Sequence, residues 1–366
     1  MGVTHESQIW KRDSLPLLAD PAKVTVPPYY PDVPEVRHDI ARNLSNIIEM
    51  DKQAGKLIQQ LKDSGLYDNC IIFFYSDHGD GLPYVKREIT KRGLHIPLII
   101  KFAQQVNAGK TDNQLISGID LGPTVLSLAG VTIPQYMQGK AFLGTQKKAQ
   151  RKYIFAARDR MDAEVDRVRS IFDGRYQYIR NYMPEKPYYQ EIAYRLQIPM
   201  MKKILEMKES GKLNDTQMRW FSTKPAEELY DTEKDPYQLN NVAANPSYKN
   251  KFQELKLEYE KWINDVGDRN ALPERELVKQ MWNYKDSAPV TEKPELVKTD
   301  SGYLIRCSTQ GASIGYKVTG RGDNAKMDSW KVYNSGAIHL NEGDKIIIKA
   351  QRIGFGATES VITITN

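Results

Sequence analysis

Apolar residues recur at helical spacing through Ile40, Leu44, Ile47, Ile48, Ala54, Leu57, Ile58 and Leu61. That period predicts a helix of roughly 28 residues with Gly65 as its stop. After the short turn LYDN the pattern changes to a continuous apolar run at 70–75 (CIIFFY), closed by Ser76-Asp77-His78-Gly79. A buried strand that ends in a polar loop has this pattern. A second buried strand is predicted at 96–102, flanked by Gly93 and Pro97. Helix, turn and strand in this order make one step of an α/β fold. In a parallel sheet of that kind, ligand sites form at the carboxyl ends of strands, where Asp77 and His78 fall.

Before the helix, VTVPPYYPDVP carries Pro27, Pro28, Pro31 and Pro34 and reads as an extended loop edged with aromatics. Beyond the second strand, Asp120 stands ahead of Pro123 and the run Val125, Leu126, Leu128 and Ala129. This predicts a short helix capped by Asp120 and ended by Gly130. From Arg151 the period shortens to that of strands: KYIFAARD, then DRVRSIFDGRYQYIRNY with Asp173-Gly174 as a hairpin turn. Val168, Ser170 and Phe172 alternate with Arg167, Arg169 and Ile171, so one face is only partly apolar. Helices near 190–209 and 246–265, the second striped by Phe252, Leu255, Tyr259 and Trp262, are expected to cover this sheet. The expected organisation is an α/β domain over 1–150, an α+β subdomain over 151–285, a charged linker at 286–300 and a small β-sandwich over 301–366.

Composition narrows the class. With 366 residues, 40% hydrophobic and 10% aromatic, the chain is globular and long enough for more than one core. The net charge of +6 is scattered and accompanied by no nucleic-acid motif, though it would suit an anionic substrate. No run approaches membrane-spanning length, and residues 1–25 lack an export signal. Cys70 and Cys307 fall in different predicted domains within apolar strand patterns, which excludes a disulfide framework and predicts buried thiols.

Asp77-His78-Gly79 suits a metal or proton-transfer site, and equally a turn in which Asp caps the next helix and His packs. Lys86, beyond the Pro83 turn, adds a cation where a lysine would orient a transferring phosphoryl or sulfuryl oxygen, with Arg87 as its rival. His5, in THESQIW, is by residue type alone a structural histidine.

Four stretches, in order, resemble a known family: FFYSDHGDGLPYVKR with GLHIPLII, GIDLGPTVLSLAGVTIPQYMQGKAFLG, VRSIFDGRYQYIRNYMPEKPY and ELYDTEKDPYQLNNVA. They are similar to the C-terminal half of type I sulfatases, the alkaline-phosphatase-like group that includes arylsulfatases and heparan N-sulfatase. The DHGDGLP-Lys spacing most resembles the heparan N-sulfatase-like branch. The resemblance implies an α/β fold class: a partial alkaline-phosphatase-like sandwich, mostly parallel sheet with helices, then the α+β subdomain and the β-sandwich. It implies a sulfuric ester hydrolase acting on sulfated carbohydrate or another sulfate ester. Carried over by position, Asp77 and His78 would be metal ligands, for Ca²⁺ rather than Mg²⁺ or Zn²⁺. Lys86 would contact the sulfate, and His5 would hydrogen-bond it and protonate the leaving oxygen. Arg87, Asp159 and Arg160 would approach the substrate. Tyr230, Asp231 and Asp235 belong to a family signature that a turn tying subdomain to sheet explains.

The family attacks with a formylglycine made within Cys/Ser-x-Pro-x-Arg, and that motif is missing: Ser14-Leu15-Pro16 and Ser287-Ala288-Pro289 lack the arginine. The expectation is therefore a C-terminal fragment of a secreted or periplasmic enzyme. It would have no signal peptide, no turnover alone and no nucleic-acid partner, and the missing N-terminal half of its catalytic domain would be its partner. The last segment is similar to the β-sandwich appendages of chitobiase-type hexosaminidases. Two other readings stay open: a metal-dependent phosphodiesterase of the same superfamily with Zn²⁺ on the Asp-His pair, and a non-catalytic glycan-binding protein working through the β-sandwich.

Overall fold

The computed structural model describes residues 16–161, 163–269, 271–320 and 329–365. The chain divides into two compact units, at Asp268 and Arg269. In chain order the first contains α1 (Pro34–Asp63), β1 (Ile72–Tyr75), α2 (Lys91–Leu94), β2 (Leu98–Lys101), α3 (Leu121–Leu128), β3 (Ile154–Met161), β4 (Glu164–Phe172), β5 (Tyr176–Asn181), α4 (Pro199–Glu209), α5 (Asp215–Met218), β6 (Glu227–Asp231) and α6 (Lys249–Val266).

The proline-rich segment before α1 is anchored by its aromatics: Tyr29 stacks on Tyr84 with centroids 4.3 Å apart, and the Tyr30 hydroxyl donates to the Pro83 carbonyl. Helix α1 starts on a proline, whose missing N–H costs nothing there, and stops at Gly65 in the left-handed region. Its packing departs from expectation. Val36, Ile40 and Ala41 are buried against Ile198, Met200, Met201 and Ile204 of the α4 region and against Tyr29, Tyr30 and Trp220, not on a sheet. Asp39 completes that contact by accepting from the Met200 N–H at 2.7 Å, which caps the start of α4. Farther along, Leu44, Ile47, Ile48 and Leu57 bring the apolar stripe to the surface.

Strands β1 and β2 also differ from expectation. They pair antiparallel, Ile72 opposite Lys101 and Tyr75 opposite Leu98, and form a two-stranded sheet among the described residues. A parallel return needs a crossover helix long enough to run back along the sheet. The connection here holds only the four-residue α2. Asp120 stands at the N-cap position of α3 as expected, but its side chain makes no cap bond to that helix. It is the third residue of a capping box begun at Ser117, accepting from the Ser117 and Lys140 N–H groups at 3.0 and 2.7 Å, and Arg151 clasps it at 2.6 and 2.7 Å. Burial pushes this carboxyl up, but the bonds from Arg151, Lys140 and Ser117 outweigh it and hold the group below the usual carboxylate range.

Strands β3, β4, β5 and β6 form an antiparallel sheet in that order. The Asp173-Gly174 hairpin forms as predicted: Asp173 Oδ1 accepts from the Arg175 and Tyr176 N–H groups at 2.9 and 2.7 Å, and Gly174 has φ 105°. One face buries Ile171, Tyr178 and Leu229 under Leu255 and Tyr259 of α6. The other, more polar face packs Val168, Ile179 and Tyr230 against Ile89. Its polarity has a cause, since this is the face that receives the loop bearing Lys86.

The second unit contains α7 (Glu274–Met281), β7 (Glu295–Thr299), β8 (Gly302–Arg306), β9 (Ser313–Thr319), β10 (Lys331–Val332), β11 (Lys345–Gln351) and β12 (Thr358–Thr363). Residues expected in the linker thus include strand β7, which pairs with β8; the other sheet runs β10-β9-β11-β12. Ile305 from the first sheet and Ile346 and Ile348 from the second share one core. Cys70 and Cys307 are free thiols as expected, but half-buried rather than buried: each lies just outside its strand.

Candidate active site

Strand β1 ends one residue before the turn that carries Asp77 and His78. The Ser76 hydroxyl donates to the His78 carbonyl at 2.7 Å, and His78 Nδ1 lies 2.7 Å from the Gly79 carbonyl oxygen. A carbonyl only accepts, so the proton sits on Nδ1, and in the neutral ring the lone pair is on Nε2. Asp77 Oδ1 is 3.7 Å from Nε2, and its side chain is 89% exposed.

Two glycines join this turn to the Lys86 loop. The Gly79 N–H donates to the Gly93 carbonyl at 3.0 Å. A Cβ on Gly79 would stand 1.9 Å from the Arg92 carbonyl oxygen, and one on Gly93 would stand 2.1 Å from that of Glu88 and 2.6 Å from that of Val85. Residues 79, 85, 88 and 93 therefore meet backbone to backbone, an approach open only to glycine. Next to them Asp80 accepts from Arg92 at 3.0 Å.

The Lys86 loop is held from the subdomain. Arg195 donates to the Lys86 carbonyl at 3.3 Å, Arg158 to that of Arg87 at 3.0 Å and Gln177 to that of Ile89 at 2.8 Å. Glu88 accepts from Arg158 at 2.8 Å and lies 3.4 Å from Arg195. Arg158 continues to Asp166 at 2.5 Å, which also pairs with Lys224 at 2.7 Å. Lys86 Nζ lies 5.3 Å from the centroid of the Tyr194 ring, a cation–π contact. Arg87 is 9% exposed and adopts φ 76°. Burial, then the nearby Arg158 and Arg195, lower its affinity for the proton, and burial lowers that of Lys224 despite Asp166. The segment after β6 reaches the Lys86 loop through Gln238: the Lys91 N–H donates to Gln238 Oε1 at 2.6 Å, and Gln238 Nε2 donates to Gln177 Oε1 at 2.7 Å, while Asp231 pairs with Arg175 inside the subdomain.

The structure thus brings the Asp77-His78 turn and the Lys86 loop onto one support. Asp159 faces elsewhere: it pairs with Arg169 at 2.9 Å, which also holds Asp268 at 2.7 Å, while its neighbour Arg158 points to Glu88. Arg160 is exposed, past a register shift in the β3–β4 pairing. His5 lies outside the described residues. Sequence reasoning missed Glu88, Arg158 and Arg195. A signal existed for Arg158: period 2 puts it on the same face as Ala156, which packs on the cluster around Ile89, so a charge occupies an inward position.

Calcium takes about six to eight oxygen ligands. This chain offers the Asp77 carboxylate and the His78 nitrogen, and among the described residues no three His, Cys, Asp or Glu side chains converge on one point. These residues alone do not make a calcium site.

Residues 12–131 match the family model described as Sulfatase, and residues 79–214 match one described as N-sulphoglucosamine sulphohydrolase, C-terminal. The second match spans both the Lys86 loop and the subdomain that holds it. The chain is also 44% identical over 362 residues to an ulvan-active sulfatase of Formosa agariphila, covering 98% of this chain and 60% of that relative. Over residues 12–214 the chain is therefore similar to sulfatases. The human N-sulphoglucosamine sulphohydrolase is 22% identical to this chain over 270 residues, covering 70% of it and 54% of the human protein. A solved structure in complex with its substrate D-glucosamine-2-N,6-O-disulfate aligns at TM-score 0.46 with 24% identity, over 64% of this chain and 42% of that one, too slight a likeness to argue from. The chain spans 60% and 54% of the lengths of the two relatives. Sulfatases generally depend on a divalent metal. No helix among the described residues is long and apolar enough to cross a membrane.

Proposed function

We propose that this chain is the C-terminal part of a secreted or periplasmic sulfuric ester hydrolase that removes sulfate from sulfated carbohydrate. Asp77 and His78 contribute part of a divalent metal site, Ca²⁺ being the ion expected, and a separate segment supplies the remaining ligands and the formylglycine nucleophile. Lys86 sets positive charge against the sulfate oxygens, and His5 protonates the leaving oxygen. Arg160 is the substrate-facing member of the subdomain; Arg87 and Asp159 act through the contacts that hold the loop and sheet. In this reading a separate segment covers the exposed side chains of Ile47, Ile48 and Ile99, the last 62% exposed.

The observation that carries this reading is the backbone junction at Gly79 and Gly93, which fixes the Asp77-His78 turn and the Lys86 loop as one piece. The test is to refold the chain with the N-terminal portion of the Formosa agariphila relative and to assay sulfate release from ulvan and from an aryl sulfate. Release that is lost with a chelator and with Lys86→Ala supports the reading. Release by this chain alone, or unchanged release with Lys86→Ala, overturns it.

A further inference from the structure

The second unit has a cleft of about 640 Å³ whose lining includes Lys293, Glu295, Arg306, Ser308, Ser313 and Tyr333. We infer that this cleft is a separate binding site for an anionic saccharide unit. Its size lies within the range of small-molecule sites, about 300–1,000 Å³. The β7–β8 register puts Glu295 directly opposite Arg306, so the two side chains leave the sheet on the same face. The connection from β8 to β9 brings Ser308, and the first residue of β9 is Ser313.

The floor is preorganised. The Tyr333 hydroxyl accepts from the Ile305 N–H at 3.1 Å, and its ring meets Tyr316 edge-on at 6.3 Å, so the tyrosine in the lining is held in place while Lys293, Glu295 and Arg306 are exposed. Cys307 takes no part in this polar set, since its Sγ donates to the Glu292 carbonyl at 3.3 Å.

The chemistry selects the ligand class. Serine hydroxyls and a carboxylate match the donors and acceptors of a sugar ring, and a tyrosine face suits its apolar side. Two cations against one carboxylate leave the cleft positive. The arginine fork matches the paired oxygens of a uronate or a sulfate. The polymer class is taken from the sulfatase reading, on which the inference rests, but none of these residues belongs to the Asp77–Lys86 assembly.

Affinity electrophoresis of the whole chain, at physiological ionic strength, in gels containing ulvan or uncharged dextran tests the site. Retardation is expected in ulvan and not in dextran. Arg306→Ala, and Ser313→Trp to fill the cleft, each weaken it about tenfold. Lys349→Ala, the same charge change outside the cleft, leaves it unchanged. Absence of retardation in ulvan, equal retardation in dextran, equal weakening by Lys349→Ala, or loss with Lys86→Ala but not with Arg306→Ala overturns the inference. None of these readouts involves turnover, so the sulfatase reading stands or falls separately on sulfate release.

Discussion

Arg158 of β3 meets Glu88 of the Lys86 loop at 2.8 Å, and its second terminal nitrogen meets Asp166 at 2.5 Å. The loop that carries Lys86 is thus anchored by charges buried in another element. Removing Arg158 takes a charged partner from two buried carboxylates, leaving Glu88 with Arg195 at 3.4 Å and Asp166 with Lys224 at 2.7 Å. Arg158→Met is therefore expected to cost about 3–5 kcal/mol in urea unfolding of the chain. A midpoint indistinguishable from wild type would show that the pair does not hold the loop.

Gly93→Ala places a methyl against the carbonyl oxygens of Glu88 and Val85, which belong to the backbone and cannot swing away. The expected destabilisation is about 1–3 kcal/mol. Gly55→Ala is the contrast: this glycine is helical with nothing within 4 Å of its Cβ position, and alanine there should stabilise. Thermal melts of both variants measure the difference, and equal melting temperatures would contradict the account.

Asp120 gives stability a pH dependence. Its folded-state carboxyl lies below the ordinary value, so its contribution is present above about pH 4 and is lost as pH falls through the lower folded value. Urea unfolding across the acid range should show that loss, and Asp120→Asn, less stable at neutral pH, should show a shallower one. Parallel slopes for both proteins would refute it.

Ile47 and Ile99 are each exposed, with little to gain from staying apolar in the isolated chain. Ile47→Lys and Ile99→Lys should leave unfolding within about 0.5 kcal/mol of wild type while lowering concentration-dependent light scattering. A large loss of stability would mean that these side chains are already covered.

Much of the outline was legible in the sequence because local patterns carry it. The period along α1, the Asp-Gly turn between β4 and β5 and the stripe of α6 each depend on residues a few positions apart, and each forms. The Asp77-His78 turn after β1 was legible for the same reason: a short apolar run followed by polar residues leaves little choice. The destination of each apolar face was not legible. The stripe of α1 has one period throughout, yet its first turns are buried against α4 and its later ones are exposed.

The sequence by itself determined most of the elements of the first unit, the resemblance to sulfatases, and the turn and loop that bear Asp77, His78 and Lys86. Tertiary structure decided that β2 returns antiparallel, that Asp120 clasps Arg151, and that Arg158 rather than Asp159 points into the Lys86 loop. The physical reason is range. A hydrophobic period reports neighbours within one helix or strand, whereas Glu88 and Arg158 are 70 residues apart in the chain. Their attraction exists only after packing removes both from water, and nothing in either residue's local surroundings announces the other.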